Sequence, residues 1–242
     1  MEWRDQGVVI SVRKHGETST IVDVLTVAHG RHAGVVRGGV SRRMTPVIQP
    51  GNQISVEWHA RLEEHLGSYR VELLRSRSRI MADRAALAAL ASVCAMVGFG
   101  FPERMVFPDL YDSTTAVLDA LEVGADWQRA YALWELQLLD ELGYGLDLSC
   151  CAVTGSTDDL VFVSPRSGRA VSRTGAGNWA QKLLPLPAFL RDRGEATGEQ
   201  VLEALQTTGY FLERRLATAL GNRPLPAARG RLVSVLHKAI AE

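Results

Sequence analysis

The spacing of apolar residues changes near residue 80, and this change limits the fold more than any other feature of the sequence. Before it, short segments rich in β-branched residues are separated by Gly, Asn, Pro or charged turns, which is typical of strands. The segments are GVVISVRKH, TSTIVDVLTV, HAGVVRGGV, QISVEWHA and SYRVELLRS. Turns are indicated at Gly30 and at Pro50-Gly51. Five strands in about 75 residues, with no helical spacing between them, predict a small antiparallel barrel of the OB type.

After residue 80 the apolar residues recur with helical spacing, and several segments end near a glycine, as helices often do. The segments are MADRAALAALASVCAMVGF, STTAVLDALEVG, ADWQRAYALWELQLLDELGY, TGEQVLEALQTTGYFLERRLATALG and PAARGRLVSVLHKAIAE. The sequence predicts an α+β protein, with a five-stranded OB-fold domain over residues 1–79 and a mainly helical domain over 80–242. An irregular, Gly-containing insert at about 146–180 interrupts the helices.

The composition is that of an ordinary soluble globular protein, since 46% of the 242 residues are hydrophobic and 22% are charged. No apolar run approaches the ~18 residues that a membrane span requires. The segment MEWRDQGVVISV lacks the apolar core of a secretory signal. Three cysteines, two of them adjacent, do not make a disulfide framework. We expect a cytoplasmic protein with no membrane partner.

The formal net charge is zero, but the charges are divided into blocks. Residues 1–79 carry 12 Lys or Arg against 8 Asp or Glu, residues 80–148 carry 3 against 11, and residues 149–242 carry 12 against 8. A local patch rather than the total sets the local field. The blocks indicate regions with different partners or, for the acidic helices, an ordinary solvated surface.

Sequence signatures of enzymes are absent. There is no Gly-rich phosphate loop ending in Lys-Ser/Thr, no G-x-G-x-x-G after a strand and no G-x-S-x-G elbow. The six histidines form no i, i+4 pair on a predicted helix. We expect a protein that is not an enzyme; an enzyme with an unrecognised site is the alternative.

The segment LSCCAVTG suggests half of a metal-binding turn. A structural zinc site needs four ligands, usually in two pairs. Cys150 and Cys151 are adjacent, so both can hardly bind one metal, and no Cys follows them. No His occurs between positions 66 and 236. We therefore expect no metal and no cofactor, and a pair of buried thiols; a vicinal disulfide, which would be strained, is the alternative.

The strongest functional signal is a run of arginines in the predicted barrel. In a strand over 31–38, Arg31 and Arg37 would share one face. Gly38 and Gly39 would let backbone amides approach a phosphate. Guanidinium groups suit phosphate contacts, which supply most sequence-independent affinity for nucleic acids. GRHAGVVRGGVSRR contains no acidic residue and four arginines: Arg31, Arg37, Arg42 and Arg43.

Three further basic residues of the predicted barrel join this candidate nucleic-acid-binding surface: Arg13, Lys14 and Arg70. Arg outnumbers Lys by 24 to 3 throughout the chain, so part of the enrichment is a compositional bias. The aromatic residues of the predicted barrel are Trp3, Trp58 and Tyr69, whereas barrels that stack bases usually carry a row of them. We therefore expect nucleic-acid binding that rests on backbone electrostatics and depends steeply on salt.

Three segments together resemble the RecO family of bacterial DNA repair and recombination proteins. They are GVVISVRKHGETSTIVDVLTVAHGRHAGVVRGGVSRR, WELQLLDELGYGLDLSCCAVTG and FLERRLATALGNRPLPAARG, in the family's order. The resemblance implies an N-terminal OB-fold, a helical C-terminal domain and a zinc-ribbon-like insert that keeps its metal in some members. In those members Cys151 would match the first ligand and Thr154 the second, and Ser172 stands near the later pair. It therefore implies a degenerate, metal-free insert here.

The resemblance also implies a function without a catalytic centre. RecO-like proteins bind single- and double-stranded DNA, anneal complementary strands and work with RecR. They help RecA load onto strands coated by single-stranded DNA-binding protein (SSB), whose acidic C-terminal tail they bind, which implies a nucleoid-associated location. The receptor for such a tail should be an apolar groove with a basic rim; the candidates are Arg129, Arg214, Arg215 and Arg231. An OB-fold protein that acts on RNA is the alternative.

Overall fold

The five predicted strands form a closed barrel. A computed structural model of the chain describes residues 1–107 and 109–241. The strands run in the order β1-β2-β3-β5-β4 around the barrel, and β3 pairs in parallel with β5 at Val35 with Ser68 and Val36 with Tyr69. This arrangement is the OB-type barrel that the sequence predicts. The bounds are β1 Glu2–His15, β2 Ser19–Thr26, β3 Arg31–Val36, β4 Gln53–His59 and β5 Ser68–Arg75.

The interior of the barrel is filled by the side chains on the inward face of each strand. In β4, Ile54, Val56 and Trp58 are buried while the residues between them are half-buried, as expected when successive side chains point to opposite faces. The predicted turns are confirmed, because Gly30 and Gly51 adopt φ angles of 63° and 90°, which other residues rarely tolerate.

Strand β3 is shorter than the predicted segment 31–38. It ends at Val36, and Gly38 then adopts a φ of 68°, which turns the chain out of the sheet. Arg37 therefore lies beyond the strand. The inference that Arg31 and Arg37 share one face of a strand is wrong.

The helices follow the predicted periodic segments. Local signals set several of their ends: the Asp83 carboxylate accepts a hydrogen bond from the Ala86 amide, Thr197 and Gln200 form a capping box, and Gly124 ends a helix in the left-handed conformation. The helices are α1 Arg84–Gly100, α2 Leu110–Val123, α3 Trp127–Glu141, α4 Arg173–Ala176, α5 Phe189–Asp192, α6 Gly198–Phe211 and α7 Ala227–Ala241. Two 3₁₀ helices, Ser78–Ala82 and Gly177–Lys182, and a π-helical segment, Leu212–Ala217, complete the set.

The insert contains a small sheet where the sequence suggested irregular structure. Its strands are β6 Leu160–Val163, β7 Ala170–Ser172 and β8 Leu184–Pro185, in the order β7-β6-β8. Strands of 4, 3 and 2 residues are too short to show an alternating pattern.

No helix in the described part of the chain is long and apolar enough to cross a bilayer.

The chain divides into two compact units, Met1–Gly124 and Ala125–Glu242. The predicted boundary between residues 79 and 80 marks the change from strands to helices, whereas α1 and α2 lie in the same unit as the barrel. Arg77, which follows β5, has a fully buried side chain that contacts Asp119 at 2.6 Å and Glu122 at 3.3 Å, both on α2. This ion pairing joins α2 to the barrel.

A buried ion pair joins three helices of the second unit. Glu135 of α3 is 0% exposed. The Arg229 guanidinium on α7 contacts its two oxygens at 2.7 and 2.9 Å. The Tyr131 hydroxyl donates to the same carboxylate at 2.8 Å, and the Thr208 hydroxyl on α6 donates at 2.6 Å. Every oxygen of the buried carboxylate therefore has partners, as burial of a charge requires.

Arg229→Met should lower the free energy of unfolding by about 3–5 kcal/mol, because the Glu135 carboxylate would stay buried without its counter-ion. Urea denaturation followed by far-UV circular dichroism measures this. Adding Glu135→Gln should recover part of the loss, since the second charge is then removed. Arg173→Met is the matched control: it breaks an exposed pair with Asp159 and should cost at most about 1 kcal/mol. Equal losses for the two arginines would contradict a structural role for the buried pair.

Candidate nucleic-acid interface

A groove of about 940 Å³ opens at one end of the barrel. It lies where the first residues of β1 and β5 meet the last residues of β3 and β4. Arg4, Arg37 and Arg70 line it, and Trp58 and Tyr69 are also part of its wall. The groove therefore combines an aromatic wall with three cationic side chains.

Two acidic residues, Glu2 and Glu57, also line the groove, and Glu57 pairs with two of its arginines. Glu57 of β4 contacts Arg4 and also Arg70, the latter at 3.5 Å. Both arginines are about four-fifths exposed (78% and 81%), so each pair is weak and open to competition from another anion. Arg37 forms no ion pair with any described residue. The sequence analysis did not identify Arg4 or Glu57 as residues of this site. Glu57 lies opposite both Arg4 and Arg70 only because β4 pairs with β1 and with β5, and strand pairing cannot be read from the sequence.

Arg42 and Arg43 are exposed in the turn that follows β3. The turn is held against the hairpin between β1 and β2, since the Val40 amide donates to the Thr18 carbonyl at 3.4 Å. Lys14 lies opposite Thr20 at the base of that hairpin. The turn and the hairpin thus bring three exposed cations into one region next to Arg37.

The two glycines of this turn have different roles. A side chain at Gly39 would place its Cβ 2.1 Å from the Thr20 hydroxyl oxygen, so Gly39 permits the turn to pack on β2. Gly38 faces open space and has a φ of 68°. Of the two, Gly38 leaves room for a ligand to approach the backbone.

Arg31 is part of the barrel's framework. Its Nη1 atom lies 2.5 Å from an Asp23 carboxylate oxygen, and its Nε donates to the Phe101 carbonyl at 2.9 Å. The side chain is 15% exposed. Burial raises the pKa of Asp23 and the Arg31 charge opposes that rise. The guanidinium is therefore already occupied by partners within its own unit.

Arg13 is exposed on β1, next to Lys14 in sequence and therefore on the opposite side of the strand. Five of the seven predicted residues lie on the groove, on the turn after β3 or at the hairpin that this turn contacts, whereas Arg13 lies on the other side of β1 and Arg31 is held by internal partners. A role in binding DNA stays a prediction for all seven residues. The five are Lys14, Arg37, Arg42, Arg43 and Arg70.

The aromatic residues of the barrel converge beside the groove. Trp3 stacks on His29 with ring centroids 3.9 Å apart and on Trp58 at 5.6 Å. Trp58 and Tyr69 are 1% and 5% exposed, so their rings support the groove more than they offer a surface for bases. His32 is buried among them, and its Nδ1 lies 3.1 Å from the Tyr69 hydroxyl. Burial, with a smaller contribution from Arg104, lowers the pKa of His32 to about 4.

Both cysteines of the insert are free thiols. Cys151 is buried, whereas Cys150 is half-buried, so the expectation of two buried thiols is wrong for Cys150. The Cys151 Sγ accepts hydrogen bonds from the Ser172 amide at 3.2 Å, the Ser172 hydroxyl at 3.3 Å and the Thr154 amide at 3.4 Å. Burial alone would raise the pKa of Cys151, but these hydrogen bonds outweigh it and lower the pKa to about 6.

Four positions converge where two C-x-x-C pairs would hold a zinc ion. They are Cys151, Thr154, Ser172 and Gly175, and a Cβ added at Gly175 would lie 2.8 Å from the Cys151 Sγ. One thiol among four positions does not fit the zinc donor set. Within residues 1–107 and 109–241, no group of three or more His, Cys, Asp or Glu side chains is placed to hold a metal ion.

The candidate partner-binding arginines of the second unit lie in different surroundings. Arg129 pairs with Asp126 at 2.5 Å and borders a groove of about 240 Å³ whose wall includes Val201, Leu236 and Ile240. The other three candidates do not line this groove. Arg215 lies over the Phe211 ring and donates to the Tyr144 carbonyl, Arg214 lies over the Tyr210 ring, and Arg231 is exposed.

An OB-type barrel with a cationic groove, followed by a helical unit with a small sheet, defines the class of this chain. The family model described as "Recombination protein O N terminal" matches residues 1–77, and "Recombination protein O C terminal" matches residues 81–224. The chain belongs to the RecO family, which confirms the resemblance seen in the sequence.

Relatives cover the chain along its length. The "DNA repair protein RecO" of Ruegeria sp. (strain TM1040) is 54% identical over 241 residues, which is 99% of this chain and 100% of the relative. The protein of the same name from Dinoroseobacter shibae is 55% identical over 240 residues, 99% of each chain. That of Cereibacter sphaeroides (strain ATCC 17029 / ATH 2.4.9) is 54% identical over 239 residues, 99% of this chain and 100% of the relative.

The free energy of unfolding should fall by about 2 kcal/mol between pH 7.5 and pH 5 on account of His32. Its pKa is about 4 in the folded chain and about 6.5 when unfolded, so this stability is present above pH 6.5 and is lost as the pH falls toward 4. Urea denaturation at each pH measures the effect. His32→Gln should remove this part of the pH dependence, and His15→Gln, an exposed control, should leave it. The same pH dependence in both variants would contradict the assignment.

The expectation that the insert holds no metal can be tested by restoring the missing ligands. The purified protein should contain no stoichiometric zinc, whereas Thr154→Cys combined with Ser172→Cys and Gly175→Cys should bind one ion per chain, because four thiolates then surround one point. Elemental analysis measures the zinc, and cobalt absorbance reports tetrahedral thiolate binding. The same triple variant with Cys151→Ser is the control and should bind far more weakly. Stoichiometric zinc in the unaltered protein would overturn the metal-free reading.

Proposed function

We propose that this protein is a DNA-binding recombination mediator that acts in DNA repair without a catalytic centre. One observation carries the proposal: the exposed, unneutralised cations Arg37, Arg42 and Arg43 lie together beside an open groove in an OB-type barrel. Membership of the RecO family, whose relatives are named DNA repair proteins, supports it. The cationic region suits a phosphate backbone, and a net charge of zero does not oppose this because the local field governs binding.

The proposed activity includes binding of single- and double-stranded DNA and annealing of complementary strands. Two strands repel each other through their phosphates, and a cationic surface that neutralises phosphates on both lowers that repulsion. Base pairing then supplies the rest of the driving force. This mechanism requires neither a nucleotide nor a metal ion.

The proposed partners are RecR, the C-terminal tail of SSB and, indirectly, RecA on SSB-coated DNA. An acidic tail that ends in an apolar residue would suit an apolar groove with a cation at its rim. The groove bordered by Arg129 has Val201 and Leu236 in its wall, and an acidic tail would have to compete there with Asp126, which also lines the groove and pairs with Arg129. We propose Arg129 as the first contact to examine for the tail, and a nucleoid-associated cytoplasmic location follows from the DNA partner.

Arg37→Glu combined with Arg42→Glu should weaken single-stranded DNA binding by about ten-fold or more at low salt, because two phosphate contacts become repulsive. The slope of log affinity against log salt should fall by about 1.4, since each phosphate contact on a single strand contributes about 0.7. Fluorescence anisotropy across a salt titration measures both quantities. Annealing of complementary oligonucleotides should slow in parallel.

Arg79→Glu combined with Arg84→Glu is the matched control, because it makes the same change in charge at exposed positions of the same unit. This variant should keep most of the affinity. Unchanged binding and annealing in the Arg37/Arg42 variant would refute the assigned surface. Preference for RNA over DNA oligonucleotides of the same sequence would instead support an OB-fold protein that acts on RNA.

A further inference from the structure

Trp179 is an exposed aromatic residue in the insert. It lies in the 3₁₀ helix Gly177–Lys182, and 64% of the residue is exposed. Among the large apolar side chains that the described residues leave exposed, it is the one aromatic ring. An exposed indole forgoes the stabilisation that its burial would give. Packing of the insert therefore does not account for a tryptophan at this position.

A cation accompanies the ring. The Lys182 Nζ lies 4.7 Å from the centroid of the Trp179 ring; residues three apart on a 3₁₀ helix eclipse one another. Arg173 precedes them by less than ten residues, and its side chain is 67% exposed. Its contact with Asp159 at 3.4 Å joins two exposed groups, so that pair is weak. Trp179 is thus exposed next to Lys182 and close in sequence to Arg173, and an anionic ligand could bind these cations.

All the charged residues in the segment around the ring are basic. Residues 160–191 contain no Asp or Glu. Such a segment favours anions, although Asp147 and Asp159, which lie outside it in sequence, pair with Arg169 and Arg173 through exposed contacts. The five basic residues in it are Arg166, Arg169, Arg173, Lys182 and Arg191.

The turn around Cys151 holds this segment in place. The Ser172 hydroxyl caps α4 by accepting from the Gly175 amide at 3.1 Å, and it also contacts the Cys151 Sγ at 3.3 Å. At the other end, the Leu183 amide donates to the Ala180 carbonyl at 3.2 Å. The ring is therefore presented by hydrogen-bonded structure, which reduces the entropy lost when a ligand binds.

We propose that Trp179 stacks on a base of single-stranded DNA and that Lys182 binds a neighbouring phosphate. An exposed aromatic ring beside cations is the combination by which proteins hold single strands, because every base offers a π-face and every linkage a charge. This is a second nucleic-acid contact, built from residues of the insert and separate from those of the barrel groove. The proposal rests on the proposed DNA-binding function.

Binding of a labelled oligo-dT to the full chain tests the proposal. Trp179→Ala should weaken binding by about five-fold or more, the lower end of what base–aromatic stacking contributes. The slope against log salt should not change, because stacking releases no counter-ions. Lys182→Gln should instead lower that slope by about 0.7, one phosphate contact on a single strand. With 5-iododeoxyuridine in the oligonucleotide, ultraviolet light should cross-link the peptide that contains Trp179.

Two variants make the test specific. Trp179→Phe should keep most of the affinity, since phenylalanine also stacks. Val153→Ala truncates an apolar residue of the same insert that is 68% exposed, and it should change the affinity by less than about two-fold, as surface substitutions usually do.

The outcomes separate the two proposals. If the unaltered chain binds DNA, the Arg37/Arg42 variant binds it weakly and Trp179→Ala binds as the unaltered chain does, the second contact is refuted and the proposed function stands. If Trp179→Ala leaves DNA binding intact but abolishes binding of an acidic peptide, the ring serves a protein partner and the proposal is wrong. If the unaltered chain does not bind DNA at low salt, the proposed function fails and this contact with it.

Discussion

The helical unit depends on one buried carboxylate. Glu135 lies on the interior face of α3 with no exposed surface, and its charge is tolerated only because α6 and α7 deliver the Thr208 hydroxyl and the Arg229 guanidinium to it. A buried ion pair adds little stability compared with apolar packing, but leaving either charge unpaired is costly. The three helices must therefore dock in one register, and that register fixes the surfaces that α3, α6 and α7 leave exposed, including the groove beside Arg129.

Arginines also hold the first unit together, and this changes how its basic composition should be understood. Arg31 is occupied by Asp23 and a backbone carbonyl, and Arg77 is occupied by Asp119 and Glu122 of α2. Asp23 lies on the neighbouring strand β2, whereas the partners of Arg77 are more than 40 residues away in sequence. The surface charge available to a nucleic acid is accordingly smaller than the count over residues 1–79 suggests. Part of the basic charge that stays exposed lies on the groove and on the turn after β3.

The insert keeps the geometry of a metal-binding turn without its donor set. Hydrogen bonds from Thr154 and Ser172 to the Cys151 sulfur occupy the place where other thiolates and an ion would be. The turn closes so tightly around the sulfur that a side chain at Gly175 would have to displace it, since an added Cβ would lie 2.8 Å from the Cys151 Sγ. Polar contacts thus hold this turn closed beside buried apolar residues such as Val163 and Ala170, and the insert presents Trp179 to solvent.

Sequence periodicity determined the architecture, because alternation and helical spacing are local properties of the chain. It predicted the five strands, the turns at Gly30 and Gly51 and the long helices. It overestimated the length of β3, because it placed Arg37 in the strand. The positive φ of Gly38, which ends the strand, cannot be recognised from the alternation of residues. The family followed from the sequence as well, because whole segments of the chain resemble it.

The tertiary structure decided which charges are free. Arg31, Arg37 and Arg77 look alike in the sequence, and only the partners brought by distant segments distinguish the buried from the exposed guanidinium groups. The same holds for Trp179, which lies in a helix too short to show a pattern and whose exposure no local rule predicts. The sequence by itself thus determined the elements and the family, whereas long-range pairing and burial decided which residues remain available to a ligand.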